Sequence, residues 1–235
     1  MAAIDDLLTL IGDQRGPGAA NRLCEACVAL YGVRAAAISI VFDGANVGTL
    51  GASGATAREL DELQFTLGEG PCLDAVTQRI PIFVTDLADP RMQQWPAYGP
   101  ALLAHDIRGV YAVPVVVAGQ HIGALDLFQT QPGLLGAQQL TGVLVAADLA
   151  QLPFLDLLGA NLNAAVNDPA SDAWAELNTL SHPEVSQATG VLVAQLDVAP
   201  AVALLRLRAH AYATGRGVTE IARDILAHRL ELEAD

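Results

Sequence analysis

The chain has 235 residues and a mass of 24.5 kDa, room for one large domain or a medium domain with a small one. It is 52% hydrophobic and 16% charged, which excludes disorder as the main state. Twelve basic residues, all arginine, face twenty-six acidic ones for a formal charge of −14. That balance excludes capture of duplex DNA or an anionic membrane by bulk electrostatics, though not a small local site for a polyanion.

Residues Met1 to Tyr31 read as helix, with Leu7, Leu8 and Ile11, then Leu23, Cys27, Val28 and Leu30, at helical spacing. Gly16-Pro17-Gly18 divides this stretch in two. Asp5 and Asp6 sit where a signal peptide would carry positive charge. Cys24 and Cys27 lie three apart on the second piece and share an apolar face, as buried thiols do.

Ala35–Phe42 reads as a buried strand, Asp43-Gly44 as a hairpin turn and Asn46–Ala52 as the returning strand. Thr56–Leu67 is helical, Leu73–Thr77 is a short helix after a Gly/Pro turn, and Ile82–Leu87 is a strand. Trp95–His105 is a second short helical connection. Gly109–Val117 and Gln120–Phe128 form the clearest hairpin, turning through Ala118-Gly119. This order of strand pairs and helices describes an α+β fold with a largely antiparallel sheet.

Leu134–Val166 is a long helical pattern. A 4-3 spacing runs through Leu140, Leu144, Ala147, Gln151, Phe154, Leu158, Asn161 and Ala165, which fits either a seam between subunits or a helix packed on its own sheet. Pro153 predicts a kink. Asp148, Pro153 and Asp156 interrupt its apolar run, short of the roughly 18–20 residues of a membrane span. The expected location is therefore cytoplasmic.

Asn167–Asp172 is a linker. Beyond it, Pro183–Gln195 carries Val185, Ala188, Leu192 and Val193 on one face, with Gly190 suited to close helix approach. Pro200 opens a second helix that ends at Gly215, with Val202, Leu205, Ala209 and Tyr212 as its apolar stripe. Val218–Leu230 is strongly amphipathic through Val218, Ile221, Ala222, Ile225, Leu226 and Leu230.

Two resemblances rest on these residues. Val185-Ser186-Gln187-Ala188-Thr189-Gly190-Val191-Leu192-Val193, Ala203-x4-Arg208-x2-Ala211-Tyr212 and Val218-Thr219-Glu220-Ile221-Ala222-Arg223 resemble the ANTAR domain. Gly68-Glu69-Gly70-Pro71-Cys72, Val84-Thr85-Asp86-Leu87-Ala88-Asp89-Pro90-Arg91, and Val113-Pro114-Val115 with Gly123-Ala124-Leu125-Asp126-Leu127 resemble the GAF domain. In this order they are similar to actinobacterial GAF–ANTAR regulators of transcription antitermination. The resemblance implies a GAF-like sensor over 1–133, a connecting and dimerisation helix over 134–166, a linker over 167–173 and an ANTAR-like three-helix bundle over 174–235.

It further implies a homodimer in which a GAF-like part, with a small-molecule ligand, controls binding of paired RNA hairpins in leader transcripts. Loop bases of such hairpins are read by stacking and hydrogen bonding. The candidate RNA-binding residues are Arg206, Arg208, His210, Tyr212, Arg216 and Arg223, since arginine forks grip phosphates and an aromatic ring stacks bases. Against that reading, Tyr212 can be core and the arginines can pair with Glu220 and Asp224. The sequence also has Thr189 and His182 where the family commonly carries basic residues, and from Trp174 onward five arginines face eight acidic residues. The alternative is a sensory or dimerisation protein whose bundle makes only protein contacts.

Candidates to line a GAF-like pocket are Phe65, Cys72, Trp95, Tyr98, His105, Tyr111 and Asp126. No cofactor is specified, and spacing alone offers no convergent metal ligands. Some GAF-fold proteins reduce methionine sulfoxide with pocket cysteines; here only Cys72 lies in such a motif. No Ser-His-Asp order, phosphate-cradling loop or HExxH motif is present, so no enzymatic activity is expected.

Overall fold

The computed structural model describes residues 2–42, 45–157 and 182–232. The expected linker 167–173, the turn Asp43-Gly44 and the seam positions Leu158, Asn161 and Ala165 lie outside them. Helices α1 (Ala2–Ile11) and α2 (Gly16–Tyr31) come first. They are separated by residues 12–15 rather than by the glycine-proline pair, because Pro17 lies in the first turn of α2, where its missing N–H costs nothing.

Strands β1 (Ala35–Phe42) and β2 (Ala45–Ala52) follow, then α3 (Ala55–Leu67), α4 (Pro71–Gln78), β3 (Ile82–Val84) and α5 (Tyr98–Ala104). The hairpin β4 (Gly109–Val117) and β5 (Gln120–Gln129) completes a five-stranded sheet of order β2-β1-β5-β4-β3, antiparallel at every pairing. Ala118 and Gly119 both take positive φ (49° and 79°), as a two-residue type I′ turn requires.

Alternation along the strands divides the interior in two. Ala36 and Ile38 of β1, Tyr111, Val113 and Val115 of β4, and Leu125 and Leu127 of β5 face α1, α2 and the helix after the sheet. The opposite face carries Ala35, Ala37, Val110 and Phe128 against α3 and α5, and Val41 and Ala124 against α4. Cys24 and Cys27 are buried on the first face, as their helical spacing implies.

Helix α6 (Ala137–Leu149) crosses the first face. It is interrupted at Ala150 and regains helical geometry through 157. Pro153 has no N–H for the Leu149 carbonyl, which places the interruption one turn before it. The whole stretch Ala137–Leu157 is long and apolar enough, by length and composition, to cross a membrane, contrary to the sequence expectation. Val143, Ala146, Ala147, Ala150 and Phe154 nevertheless pack onto the sheet. Of the seam positions, Leu140, Ala147 and Phe154 therefore belong to the chain's own core. Leu144 is exposed, as are Leu152 and Leu155 beside the seam.

The C-terminal helices are α7 (Pro183–Leu196), α8 (Pro200–Thr214) and α9 (Val218–Leu226), and they share one core. Val185, Ala188 and Leu192 of α7 meet Val218, Ile221, Ala222 and Ile225 of α9 as expected. Two expectations fail. Open space surrounds Gly190, so it serves no close approach. On α8 the inward residues are Ala203, Leu207 and Ala211, which turns the expected stripe of Val202, Leu205, Ala209 and Tyr212 outward. Small alanines let α8 approach its neighbours, and the larger apolar residues are left in solvent.

Candidate functional site

The Gly68–Cys72 turn organises the second face of the sheet, with each residue doing a separate task. Gly68 (φ +69°) ends α3 in the left-handed conformation. The Glu69 carboxylate accepts from the N–H groups of Ala97 (2.7 Å) and Tyr98 (2.8 Å), capping α5. Gly70 (φ +145°) passes so close over Gln64 that a β-carbon there would collide with its side-chain amide. Gln64 Oε1 in turn accepts from the Cys72 N–H (2.9 Å), and Pro71 opens α4.

Beneath this turn lies a cluster of fully buried polar side chains. Ser39 of β1 lies between two carboxyl groups, hydrogen-bonded to Asp61 of α3 and 3.0 Å from Asp126 Oδ2 of β5. Thr49 Oγ1 donates to Asp61 Oδ2 at 2.5 Å, and Gln64 Nε2 donates to Asp126 Oδ2 at 2.8 Å. Asn46 Nδ2 reaches Asp61 at 3.4 Å and Cys72 Sγ at 3.8 Å.

A serine hydroxyl has one hydrogen to donate to its two carboxyl neighbours. The second contact is satisfied when Asp126 keeps its own proton and donates it to Ser39. Burial, reinforced by the charge of Asp61, raises Asp126 to about 8. Desolvation likewise raises Asp61 and holds the Cys72 thiol well above its ordinary range.

The structure thus brings Cys72 and Asp126 together, with Tyr98 buried nearby and donating to the Leu60 carbonyl (3.3 Å). Trp95 is edge-on to Tyr98 and donates to Asp74 (3.0 Å), outside the cluster. Three other candidates are elsewhere. Tyr111 faces the opposite side of the sheet and donates to the Gly133 carbonyl, because odd positions of β4 face α6. His105 is exposed at the end of α5. Phe65 points away from the sheet and packs into the core of the C-terminal helices.

Ser39, Asn46, Thr49, Asp61 and Gln64 were not singled out from the sequence. The available signal was a lone serine inside the apolar strand Ala35–Phe42, on the same face as the lone aspartate of β5. Spacing offers no ligand set, but the fold places donor atoms of Asp61, Cys72 and Asp126 within 4.8 Å of one another.

The contact made by Phe65 joins the two halves of the chain. Its ring stacks on His182 (3.7 Å between centroids, 14° between planes), and the Arg208 guanidinium lies 5.5 Å from its centroid. Thr66 Oγ1 lies 3.4 Å from the Val218 N–H. Gly68 lets Arg208 approach, since a β-carbon there would stand 2.9 Å from Nη1. Burial pushes His182 below its ordinary pKa. A groove of about 1100 Å³ runs beside this contact, bordered by His105, Arg58, Glu62, His182, Tyr212 and Arg223.

The six candidate RNA-binding residues are therefore divided. Arg208 is covered by α3. Arg216 pairs with Glu220 (2.8 Å) and Asp224 (2.6 Å), as the charge pattern suggests, and Arg223 pairs with Glu184 (2.9 Å). Tyr212 is not core: it is 62% exposed, on the stripe that also exposes Val202 and Leu205. His210 and Arg206 lie half-buried along the same helix.

Comparison with known proteins bears on the first half of the chain. A family model described as GAF domain matches residues 18–152. The GAF domain of a phosphoenolpyruvate-protein phosphotransferase from Coxiella burnetii superposes with a TM-score of 0.56 at 17% identity, covering 70% of this chain and 95% of that one. Weaker likenesses include an A. aeolicus nlh2 GAF domain in an inactive state (TM-score 0.47, 15% identity, 65% and 93% covered). Another is free methionine-R-sulfoxide reductase from Neisseria meningitidis in complex with its substrate (0.48, 14%, 65% and 86%). No curated protein matches the chain.

Proposed function

The chain belongs to the GAF domain family, a sensory and regulatory domain type, and on that footing we propose that its sensor half controls a C-terminal ANTAR-like module that binds paired RNA hairpins in leader transcripts and causes antitermination. The reading places the protein in the cytoplasm, beside nascent transcripts. The observation that carries it is the outward face of α8, where a tyrosine 62% exposed stands among apolar and basic neighbours instead of entering the core. Exposed aromatic rings are costly to leave in water and suit stacking on unpaired bases.

Control operates through the end of α3. Phe65 and Gly68 cover Arg208, so the docked arrangement withholds one arginine from phosphate while leaving Tyr212 open. A change at the buried cluster reaches this contact directly, because Asp61 and Phe65 lie one turn apart on α3. Dimerisation uses the exposed leucines of the α6 stretch, Leu144, Leu152 and Leu155.

Cys24 and Cys27 lie across the sheet from Cys72, so a disulfide relay between Cys72 and either of them has no path in this fold. This favours sensing over reductase chemistry for Cys72.

A mobility shift of the full chain on a two-hairpin RNA tests the reading. Tyr212→Ala is expected to weaken binding roughly tenfold, the loss of one base stack. Its stability should change by less than about 0.5 kcal/mol, since the ring contributes nothing to the core. Equal binding by both proteins would remove Tyr212 from the interface.

A second reading has its own support. Arg216 and Arg223 are neutralised by Glu220, Asp224 and Glu184, and Leu205 is 66% exposed beside Val202. A bundle face of that kind suits a protein partner. Failure of the RNA shift together with retained dimerisation selects it.

A further inference from the structure

Among the described residues, the buried cluster has no positively charged group paired with its carboxyls, and Arg58 lowers Asp61 only through space. Asp61 of α3, Cys72 of α4 and Asp126 of β5 are all fully buried, and one donor atom from each lies within 4.8 Å of the other two. Among the described residues no arginine donates to either carboxyl; Arg58 instead approaches the Thr49 carbonyl at 3.5 Å. Two carboxyl groups and a thiol facing one another in a dry interior are costly unless a cation or protons balance them.

One atom is left over. Asp126 Oδ2 is hydrogen-bonded to Ser39 and Gln64, but Asp126 Oδ1 is buried with no hydrogen-bond partner. A buried, unpartnered carboxyl oxygen on one of these residues leaves it a lone pair free for coordination.

We propose that Asp61, Cys72 and Asp126 form a binding site for one divalent transition-metal cation of the zinc class. The donor set selects that class. Magnesium and calcium take all-oxygen shells, whereas a thiolate with two carboxylates suits borderline-soft ions such as zinc or cobalt. A tetrahedral ion with bonds of about 2.0–2.3 Å sets its ligands roughly 3.5 Å apart, so the cluster closes by at most about 1.3 Å on binding.

The neighbouring hydroxyl of Ser39 is placed to supply a fourth, neutral oxygen, and Asn46, Thr49 and Gln64 hold the ligands from behind. Closure would draw α3, α4 and β5 together. The site depends on the sensor half alone and stands whether or not the C-terminal helices bind RNA.

The test is to produce the full chain without a histidine tag in cobalt-supplemented medium, then count metal and record the near-ultraviolet spectrum. One cobalt per chain with a thiolate-to-cobalt charge-transfer band is expected. Cys72→Ser should lose the band, and Asp126→Asn should weaken metal affinity at least about 10-fold. The double variant Cys24→Ser/Cys27→Ser, altered on the other sheet face, should keep both metal and band.

A folded wild-type chain without stoichiometric metal overturns the proposal. So does a band that survives Cys72→Ser or disappears in the Cys24/Cys27 variant. Should either cluster variant fail to fold, wild-type metal content and the Cys24/Cys27 variant decide the question.

Discussion

Ser39 shows how one side chain sets the chemistry around it. Its single proton cannot serve Asp61 and Asp126 at once, so one carboxyl stays protonated when no cation is bound. Asp126, raised to about 8, is that group. A carboxyl that keeps its proton in the folded state stabilises the fold fully below its unfolded pKa, near 4, and loses that contribution as pH rises toward 8. In chelator-treated protein, thermal unfolding should therefore show stability declining across this window. Asp126→Asn, always neutral, should flatten the decline to the part that Asp61 contributes and exceed wild type at pH 8 by at least about 1 kcal/mol. Parallel pH profiles for the two proteins would contradict the assignment. At this scale the sequence was only partly legible. Cys72 and Asp126 stood in readable motifs, but Asp61 and Gln64 looked like ordinary polar positions beside Leu60 and Leu63. Only the packing of α3 on β1 and β2, which also brings Gln64 to Asp126, gives them partners.

Elements with strong alternation or caps were the easiest to read. The β4–β5 hairpin and α8 with its Gly215 stop are found where their patterns place them. The faces of α8 were not, because five alanines and three leucines leave its apolar positions nearly evenly spread around the helix. Only the partner helices decide which side turns inward. His182, read as a departure from the family pattern, has a clear part in the fold: it stacks on Phe65 and lies 3.1 Å from Thr219 Oγ1. Burial lowers its pKa, so the folded state prefers the neutral ring. Its stabilising contribution is complete above about 6.5 and is lost as pH falls below that value. Hydrogen-exchange protection factors, corrected for the intrinsic pH dependence of amide exchange, should fall at the end of α3 and the start of α9 between pH 7 and 5, and His182→Gln should suppress that change. Unchanged protection across this range would show that the contact does not depend on the ring's charge.

For the whole molecule, charge and exposed apolar surface set the terms of association. Most of the −14 resides before Trp174, and the five arginines beyond it still face eight acidic residues. Leu152 and Leu155 remain exposed on a helix whose other face is core, so Leu152→Glu/Leu155→Glu should convert the proposed dimer to a monomer in sedimentation without loss of helix content. A persistent dimer would place the interface elsewhere. The GAF domain over residues 18–152 was legible because the first half carries its own motifs. The docking of α3 on Arg208 was not, because no local pattern records which surfaces meet.

The proposed RNA recognition by such an acidic chain requires a few placed groups, and a salt titration of affinity for a two-hairpin RNA tests this directly. With only two or three phosphates neutralised, the slope of log affinity against log salt should be shallow, roughly −1.5 to −2. No complex below roughly tens of micromolar protein even at low salt would contradict RNA recognition by this chain.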